Sequence, residues 1–545
     1  MTGVQVGVGR GRRLAAALLG VLGTTVLFAL FGRLEARWLV LGWVAMVPWL
    51  AALDRARSAR EALGLGVLLS VAFTAAVFHW FPGALQAYSR APTVVGWALF
   101  LLVAPLLQLQ FPAAALARYA ARRLAREGQG WLPPLVGTLA YVGVEGITPK
   151  LFADTLGHGL YASEWQRQGA DVAGAPGLTL VLLLGNECVL AALRRARRQG
   201  GRSAWRPMAG LAALVLVLSG YGAFRHAQVR EATRREGGLV VGAVQANITR
   251  YEKLKAEMGA YQVVRMVLDT HYAMSDALLR EGPLDLLVWP ETVYPTPFGT
   301  PRSETGATLD AEIAGYVSER GVPLVFGAYD LEGEREFNAA MFLGPSSPGG
   351  SLERAAYRKT MLFPLTEWVP DAIDTPTLRE WLPWTGRWKR GPGPRAVSFT
   401  LRDGRQLRVA PLICYETIFP EYVAQGVRQG AELLLTLSND SWFTGTPAPR
   451  LHLMHAAFRS IETRRPQVRV TNSGVTALID STGAVVADVD DNQRAGLTMR
   501  VPETAALTTL ALAWGDWLSP LALVSAVVGL AGAVLARRRA RPRGA

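Results

Sequence analysis

Cys414, Glu291 and Lys359 are three residues of this 545-residue chain that could act as one chemical set. Cys414 closes the apolar run Val409-Ala410-Pro411-Leu412-Ile413 and is followed by Tyr415 and Glu416. Glu291 stands two residues beyond the run Leu284-Asp285-Leu286-Leu287-Val288-Trp289, and Lys359 follows Ala356-Tyr357-Arg358. A strand that ends in a reactive side chain presents it at the rim of a sheet. A cysteine thiolate attacks esters and amides and splits one difficult acyl transfer into two easier ones through a thioester. A free thiol ionises near pH ~8.5, so it needs a base or a nearby cation at neutral pH. A glutamate can take the thiol proton and return it to the leaving group, and a lysine can hold the oxyanion of the tetrahedral intermediate. Singly, each residue has an ordinary reading: a small core hydrophobe, a helix cap, a surface lysine at a strand end. Their joint occurrence, each at or near the end of a strand-like run, favours catalysis.

The chain that must carry this set is 50% hydrophobic and only 18% charged, with a net charge of +14. Such a balance suits several membrane spans beside a soluble part. Apolar runs at 14–31, 38–53, 62–80, 93–115, 131–148, 177–193, 208–223 and 517–536 predict an α-helical membrane bundle of about eight spans. The second run is short enough to be tilted or only partly spanning. The arginines cluster between runs: Arg10, Arg12 and Arg13; Arg55, Arg57 and Arg60; Arg118, Arg122, Arg123 and Arg126; Arg194, Arg195, Arg197 and Arg198. Arg537, Arg538, Arg539, Arg541 and Arg543 close the chain, whereas the alternate loops are poorer, with Arg90 alone in one of them. That pattern places both termini in the cytoplasm and the segment between the last two spans on the outer face. It also explains the positive charge without nucleic acid as a partner. The division expected is 1–224, a bundle of seven spans; 225–505, a soluble domain; and 506–545, a last span with a basic tail.

Within the soluble segment, strand-like runs at 239–245, 284–289, 323–329, 339–343, 407–413, 433–438, 468–471 and 475–479 alternate with helical patterns at 256–280, 311–319, 420–430 and 448–463. Alternation of this kind predicts a layered α/β domain. The two cysteines, Cys188 and Cys414, offer neither a disulfide framework nor a CxxC pair. There is no dinucleotide fingerprint in a fitting context, no Walker loop and no HExxH, so no cofactor and no metal are expected. His452 and His455, three apart on a predicted helix, lack a further ligand cluster and read as surface or supporting residues. Glu145 falls inside a predicted span, where a carboxylate either pairs within the bundle or lines a lipid path. Trp381, Trp384 and Trp388, followed by Lys389 and Arg390, suit the headgroup region of a bilayer and read as a membrane-facing lid.

The motifs around the set resemble those of the nitrilase superfamily, whose Glu-Lys-Cys set sits on an αββα sandwich. Trp289-Pro290-Glu291 is similar to the glutamate motif, and Tyr357-Arg358-Lys359 with Phe363-Pro364 and Glu367-Trp368-Val369-Pro370 to the lysine motif. Ile413-Cys414-Tyr415-Glu416 is similar to the cysteine motif; Ser438-Asn439-Asp440-Ser441-Trp442-Phe443 and Arg469-Val470-Thr471-Asn472-Ser473-Gly474 match two further segments. With the spans, the whole chain resembles the apolipoprotein N-acyltransferase family of the bacterial inner membrane. That resemblance implies Glu291 as general base, Lys359 as oxyanion stabiliser and Cys414 as acylated nucleophile, with Glu367, Tyr415 and Glu416 supporting. It implies a phospholipid acyl donor of the phosphatidylethanolamine type, a diacylglyceryl-modified apolipoprotein as acceptor, a monomer, and a periplasmic catalytic domain. The family often carries a tryptophan shortly after the segment matched by Gln245-Ala246-Asn247-Ile248; here Tyr251 and Leu254 follow. The alternative reading is a membrane-tethered amidohydrolase in which water resolves the thioester. A transporter or scaffold with a dead enzyme domain is disfavoured by the intact set.

Overall fold

The computed structural model describes residues 2–89, 93–345 and 353–539. Arg90, Arg541 and Arg543, counted above among the basic residues, lie outside the described residues. The chain divides into two compact units, one built from Met1–Gln86, Ala91–His226 and Trp514–Ala545, the other from Ala87–Arg90 and Ala227–Ala513.

The first unit is helical. Among the described residues, six helices are long and apolar enough to cross a membrane: Gly11–Phe31, Ala36–Leu53, Ala59–Val77, Gln166–Gln199, Gly201–Ala232 and Leu518–Arg539. The span expected at 93–115 is instead a pair, Gly96–Leu107 and Gln110–Leu124, bent by 42°. Pro112 is the cause: its ring crowds the carbonyl four residues back and it has no N–H to offer that carbonyl. The Ser70 hydroxyl supplies the missing donor, 3.0 Å from the Gln108 carbonyl. The run expected at 131–148 is the helix Leu132–Ile147, shorter than the others. Pro133 and Pro134 lie in its first turn, and Thr148 before Pro149 is pushed out of the helical region. Among the described residues, six helices, or seven with the bent pair, have the length of a span, and the remaining expected run is this shorter apolar helix. The second run is part 3₁₀, Ala36–Trp43, and part α, Val47–Leu53. Buried charge in this unit is paired: Arg118 lies between Asp54 and Glu187. Glu145 accepts from Lys150 at 3.0 Å, so it pairs within the bundle.

The second unit is the expected αββα sandwich. Its strands are β1 (Thr233–Gln245), β2 (Leu286–Val288), β3 (Tyr294–Pro297), β4 (Leu324–Glu332), β5 (Arg335–Gly344), β6 (Glu353–Arg358), β7 (Val397–Thr400), β8 (Gln406–Ile413), β9 (Leu433–Ser438), β10 (Gln467–Thr471), β11 (Thr476–Ile479), β12 (Val485–Val489) and β13 (Ala495–Thr504). One sheet has the order β13-β1-β2-β4-β5-β6, with β3 beside β4; the other runs β12-β11-β10-β9-β8-β7. In each sheet the central strands are parallel, β1-β2-β4 and β8-β9-β10.

The period-2 alternation of the strands builds the layers. Val241 and Ala243 of β1 join Val288, Val409, Leu435 and Val468 in the core between the sheets. Val244 turns the other way and packs with Val263, Val267, Ile313 and Val317 of the helices Ala260–Glu281 and Glu304–Arg320. On the far side, Ala410, Leu412 and Leu434 pack against Val423 and Val427 of the helix Pro420–Arg428. The single helix expected at 256–280 is two, Tyr251–Met258 and Ala260–Glu281, because Gly259 takes φ +91 between them.

Candidate active site

The carboxyl ends of the parallel strands are where the open backbone leaves room for a ligand; Glu291 and Cys414 follow two of them, and Lys359 follows the antiparallel edge strand β6. Glu291 comes three residues after β2, Lys359 directly after β6 and Cys414 directly after β8. Lys359 is 2% exposed and Glu291 6%. The Lys359 ammonium donates to Glu367 Oε1 at 2.7 Å and to Glu291 Oε1 at 3.1 Å. Glu291 Oε1 also accepts from Asn338 Nδ2 at 2.8 Å, and its Oε2 from the Asn439 amide at 2.9 Å. Glu367 Oε2 accepts from the Phe363 amide at 2.7 Å, which folds the lysine loop back on itself. The buried cation thus carries two carboxylates, each with a further donor, the arrangement that makes burying charge tolerable. Burial works against the charge on Lys359, but Glu291, Glu367 and Cys414 outweigh it and hold its pKa well above the ordinary lysine value.

The Cys414 backbone has φ +50, in the left-handed region. A non-glycine residue held there costs on the order of 1–3 kcal/mol and persists only where its surroundings enforce it. Burial and, after it, Glu291 push the thiol pKa up, with Lys359 opposing. The resting nucleophile is therefore a protonated thiol that needs a base.

Glu416 fastens the cysteine strand to the lysine loop. Its Oε2 accepts from the Ile413 amide and the Tyr357 hydroxyl, both at 2.8 Å. Its Oε1 accepts from the Thr360 amide at 2.7 Å and the Tyr422 hydroxyl at 2.9 Å. Glu416 is thus a clamp between the residue before Cys414 and the residue after Lys359. Glu416→Gln puts an NH₂ group against donors, and leaving such buried donors unmet costs about 1–3 kcal/mol each. We expect a melting point lower by several degrees and a kcat reduced by more than tenfold, while Tyr422→Phe, which removes one donor only, stays close to wild type in kcat. Equal behaviour of the two variants would show that the clamp is dispensable. Tyr415 has a different place, its ring set edge-on against Phe363 and Phe419, each 4.9 Å away.

Gly327 of β4 keeps Glu291 in position. A Cβ at Gly327 would lie 2.3 Å from the Thr292 nitrogen and 2.6 Å from Glu291 Cα, both backbone atoms. Gly327→Ala is therefore expected to push the glutamate aside; a displacement of about 1 Å costs on the order of 10²-fold in rate. The check is kcat on protein whose far-ultraviolet circular dichroism is unchanged.

The three tryptophans are not equivalent. Trp381 ends the short helix Pro376–Trp381 and is 73% exposed. Trp384 and Trp388 are half-buried, and the Trp388 ring packs on Tyr329 at 4.5 Å. The segment is also tied back to the Glu367 loop, the Gly386 amide donating to the Thr366 carbonyl. Of the three tryptophans expected in a lid, Trp381 is the exposed ring, and Trp388 has an aromatic partner, Tyr329, within the domain.

Three residues near the set were given no role from the sequence, Asn338, Asp440 and Arg469; beside them stands His452, expected as a surface or supporting residue. Asn338 is in the interior of β5, where nothing local marks it. Arg469 lies between Val468 and Val470 in a central strand. A charge there must be paired, and that was the legible signal. Arg469 donates to Asp440 Oδ2 at 2.7 Å. Cys414, Asp440 and His452 offer ligand-type atoms within 4.8 Å of one another. A guanidinium on Asp440 and ring nitrogens already facing the Cys414 carbonyl and Arg469 make this a hydrogen-bonded group with a poor fit to a cation.

A Glu-Lys-Cys set on two packed sheets flanked by helices defines the carbon–nitrogen hydrolase class, and the carbon–nitrogen hydrolase family model matches residues 240–507. The model of the apolipoprotein N-acyltransferase N-terminal domain matches residues 26–188. Among similar proteins, the apolipoprotein N-acyltransferase of Geobacter metallireducens is 30% identical, the match covering 82% of this chain and 82% of the relative. That of Azotobacter vinelandii is 34% identical over 70% of this chain and 69% of the relative. That of Bdellovibrio bacteriovorus is 29% identical over 90% and 89%. The chain belongs to the apolipoprotein N-acyltransferase family: it is an acyltransferase with a nitrilase-like domain and apolar helices suited to a membrane.

Proposed function

We propose that the enzyme takes an acyl chain from a phosphatidylethanolamine-type phospholipid onto Cys414 and passes it to the α-amine of a diacylglyceryl-cysteine apolipoprotein. The observation that carries this reading is the convergence of Glu291 and Glu367 on the Lys359 ammonium, with Glu416 joining that loop to the nucleophile's strand. In the first half-reaction Glu291 takes the thiol proton as sulfur bonds to the ester carbonyl carbon. Two of the Lys359 N–H bonds face carboxylates; the third donates to the oxyanion. Collapse breaks the carbon–oxygen bond, and Glu291 returns its proton to the departing lysophospholipid oxygen. In the second half-reaction the amine attacks the thioester, its proton goes to Glu291, and the carbon–sulfur bond breaks as Glu291 returns that proton to the sulfur, which restores the thiol.

The clusters of arginine argue for cytoplasmic termini and a periplasmic catalytic domain. The exposure of Trp381 supports a contact between its ring and headgroups. Trp381→Ser is expected to slow acylation by phospholipid vesicles several-fold while leaving acylation by a short soluble ester unchanged; equal rates with vesicles would remove that role.

The test of the overall reaction uses enzyme loaded with a labelled acyl chain from phosphatidylethanolamine. Added diacylglyceryl-cysteinyl peptide should receive the label on its amine far faster than water removes it. Loss of label at the same rate with and without peptide would favour the amidohydrolase.

A further inference from the structure

We infer that His452 is a positioning residue for the nucleophile, holding the Cys414 peptide in its left-handed conformation through a hydrogen bond to the Cys414 carbonyl. His452 lies on the helix Ala448–Thr463, and its Nε2 is 3.0 Å from that carbonyl oxygen. A carbonyl only accepts, so Nε2 carries the hydrogen. The other ring nitrogen, Nδ1, is 3.1 Å from Arg469 Nη2, which only donates. Nδ1 accepts from the nearer Arg469 rather than donating to Asp440 Oδ1 at 3.3 Å, so the ring is neutral, with its proton on Nε2. Asp440 completes the chain: its Oδ2 accepts from Arg469, its Oδ1 accepts from the Ser438 hydroxyl at 2.7 Å, and Oδ1 lies 3.3 Å from Nδ1. Burial and the Arg469 charge lower the His452 pKa against the pull of Asp440, in keeping with the neutral ring.

The partners come from four places in the domain. Arg469 is on β10, Asp440 follows β9, His452 is on an outer helix and Cys414 follows β8. A fully buried guanidinium thus fixes which way the imidazole donates, and the imidazole fixes the peptide plane from which the nucleophile projects. This accounts for φ +50 at a residue with a side chain, a conformation that needs enforcement. Both ring nitrogens are engaged, so the geometry gives His452 no free base to offer the thiol, and Glu291 keeps that task.

The inference rests on Cys414 as the acyl-carrying nucleophile, and its test separates the two. Full-length His452→Phe keeps a ring of similar size without a donor; His452→Gln keeps an N–H near the position of Nε2–H. For acyl transfer from phosphatidylethanolamine to a diacylglyceryl-cysteinyl peptide, His452→Phe should lower kcat on the order of 10²-fold, with KM within about twofold. His452→Gln should recover at least a tenth of wild-type kcat. A second arm needs no acyl substrate: iodoacetamide alkylation of the Cys414 peptide, followed by mass spectrometry across pH. Here His452→Phe should lower the high-pH plateau and His452→Gln should restore it, with the midpoint unmoved in both. Wild-type kcat in His452→Phe, equal losses in the two variants, or a moved midpoint in His452→Gln would overturn the positioning role. If wild-type enzyme transferred no acyl chain, the acyl-transfer reading would fall and the alkylation arm would still decide His452.

Discussion

Replacing Cys414 with alanine is expected to reduce acyl transfer by more than about 10⁴-fold, the scale seen when a nucleophile that works as part of a unit is removed, while the protein still folds. Folding should survive because the position is held by groups other than the thiol: the Cys414 carbonyl by His452, and the preceding Ile413 amide by Glu416. Alanine meets the same left-handed backbone as cysteine, so the substitution adds no strain of its own. The measurement is transfer of a labelled chain from phosphatidylethanolamine to a diacylglyceryl-cysteinyl peptide, with melting temperature as the control for folding. Cys414→Ser is expected to be nearly as inactive, since Glu291 would have to deprotonate a far weaker acid.

Removing Lys359 should affect activity and stability together. Its ammonium is the shared partner of Glu291 and Glu367 in a buried site. Lys359→Met leaves two carboxylates with no cation between them. Breaking a buried pair by deleting one partner costs roughly 3–5 kcal/mol, and loss of an oxyanion donor costs about 10²–10³ in kcat. Lys359→Met/Glu367→Gln removes one orphaned charge and should recover part of the stability with none of the activity. The thiol should report the change as well. Lys359 draws the Cys414 pKa down while burial and Glu291 push it up. Without the cation the thiolate is less favoured, so the pH profile of Cys414 alkylation should move to higher pH. An unchanged melting temperature and alkylation profile in Lys359→Met would contradict the placement of this residue.

Much of the site could be read from the chain because strand ends are local signals. The runs ending at Trp289 and Ile413 are short and bounded, and Glu291 and Cys414 follow within two residues. The strand at 433–438 and the helix at 448–463 have the bounds their patterns suggested. What escaped depends on distant partners. Asn338 meets Glu291 across the sheet, and His452 acquires its task only when the ends of β8, β9 and β10 lie side by side. Gly327 matters through a close backbone approach that no spacing announces. β13 was not predicted, although Leu497, Met499 and Val501 alternate with Gly496, Thr498 and Arg500; its Pro502 is tolerated because the strand lies at the sheet's edge. In the helical unit, Pro112 bends the run at 93–115, and Ser70 of a neighbouring helix satisfies the carbonyl that it frees.

The most direct measurement is the intact mass of full-length enzyme after incubation with phosphatidylethanolamine and no acceptor. Wild-type protein should gain one acyl group in place of one hydrogen, on the peptide containing Cys414. The adduct should be released by hydroxylamine and discharged by a diacylglyceryl-cysteinyl peptide, and Cys414→Ala should show none. An adduct that persists in Cys414→Ala, or that forms on Cys188 instead, would contradict Cys414 as the carrier of the acyl chain.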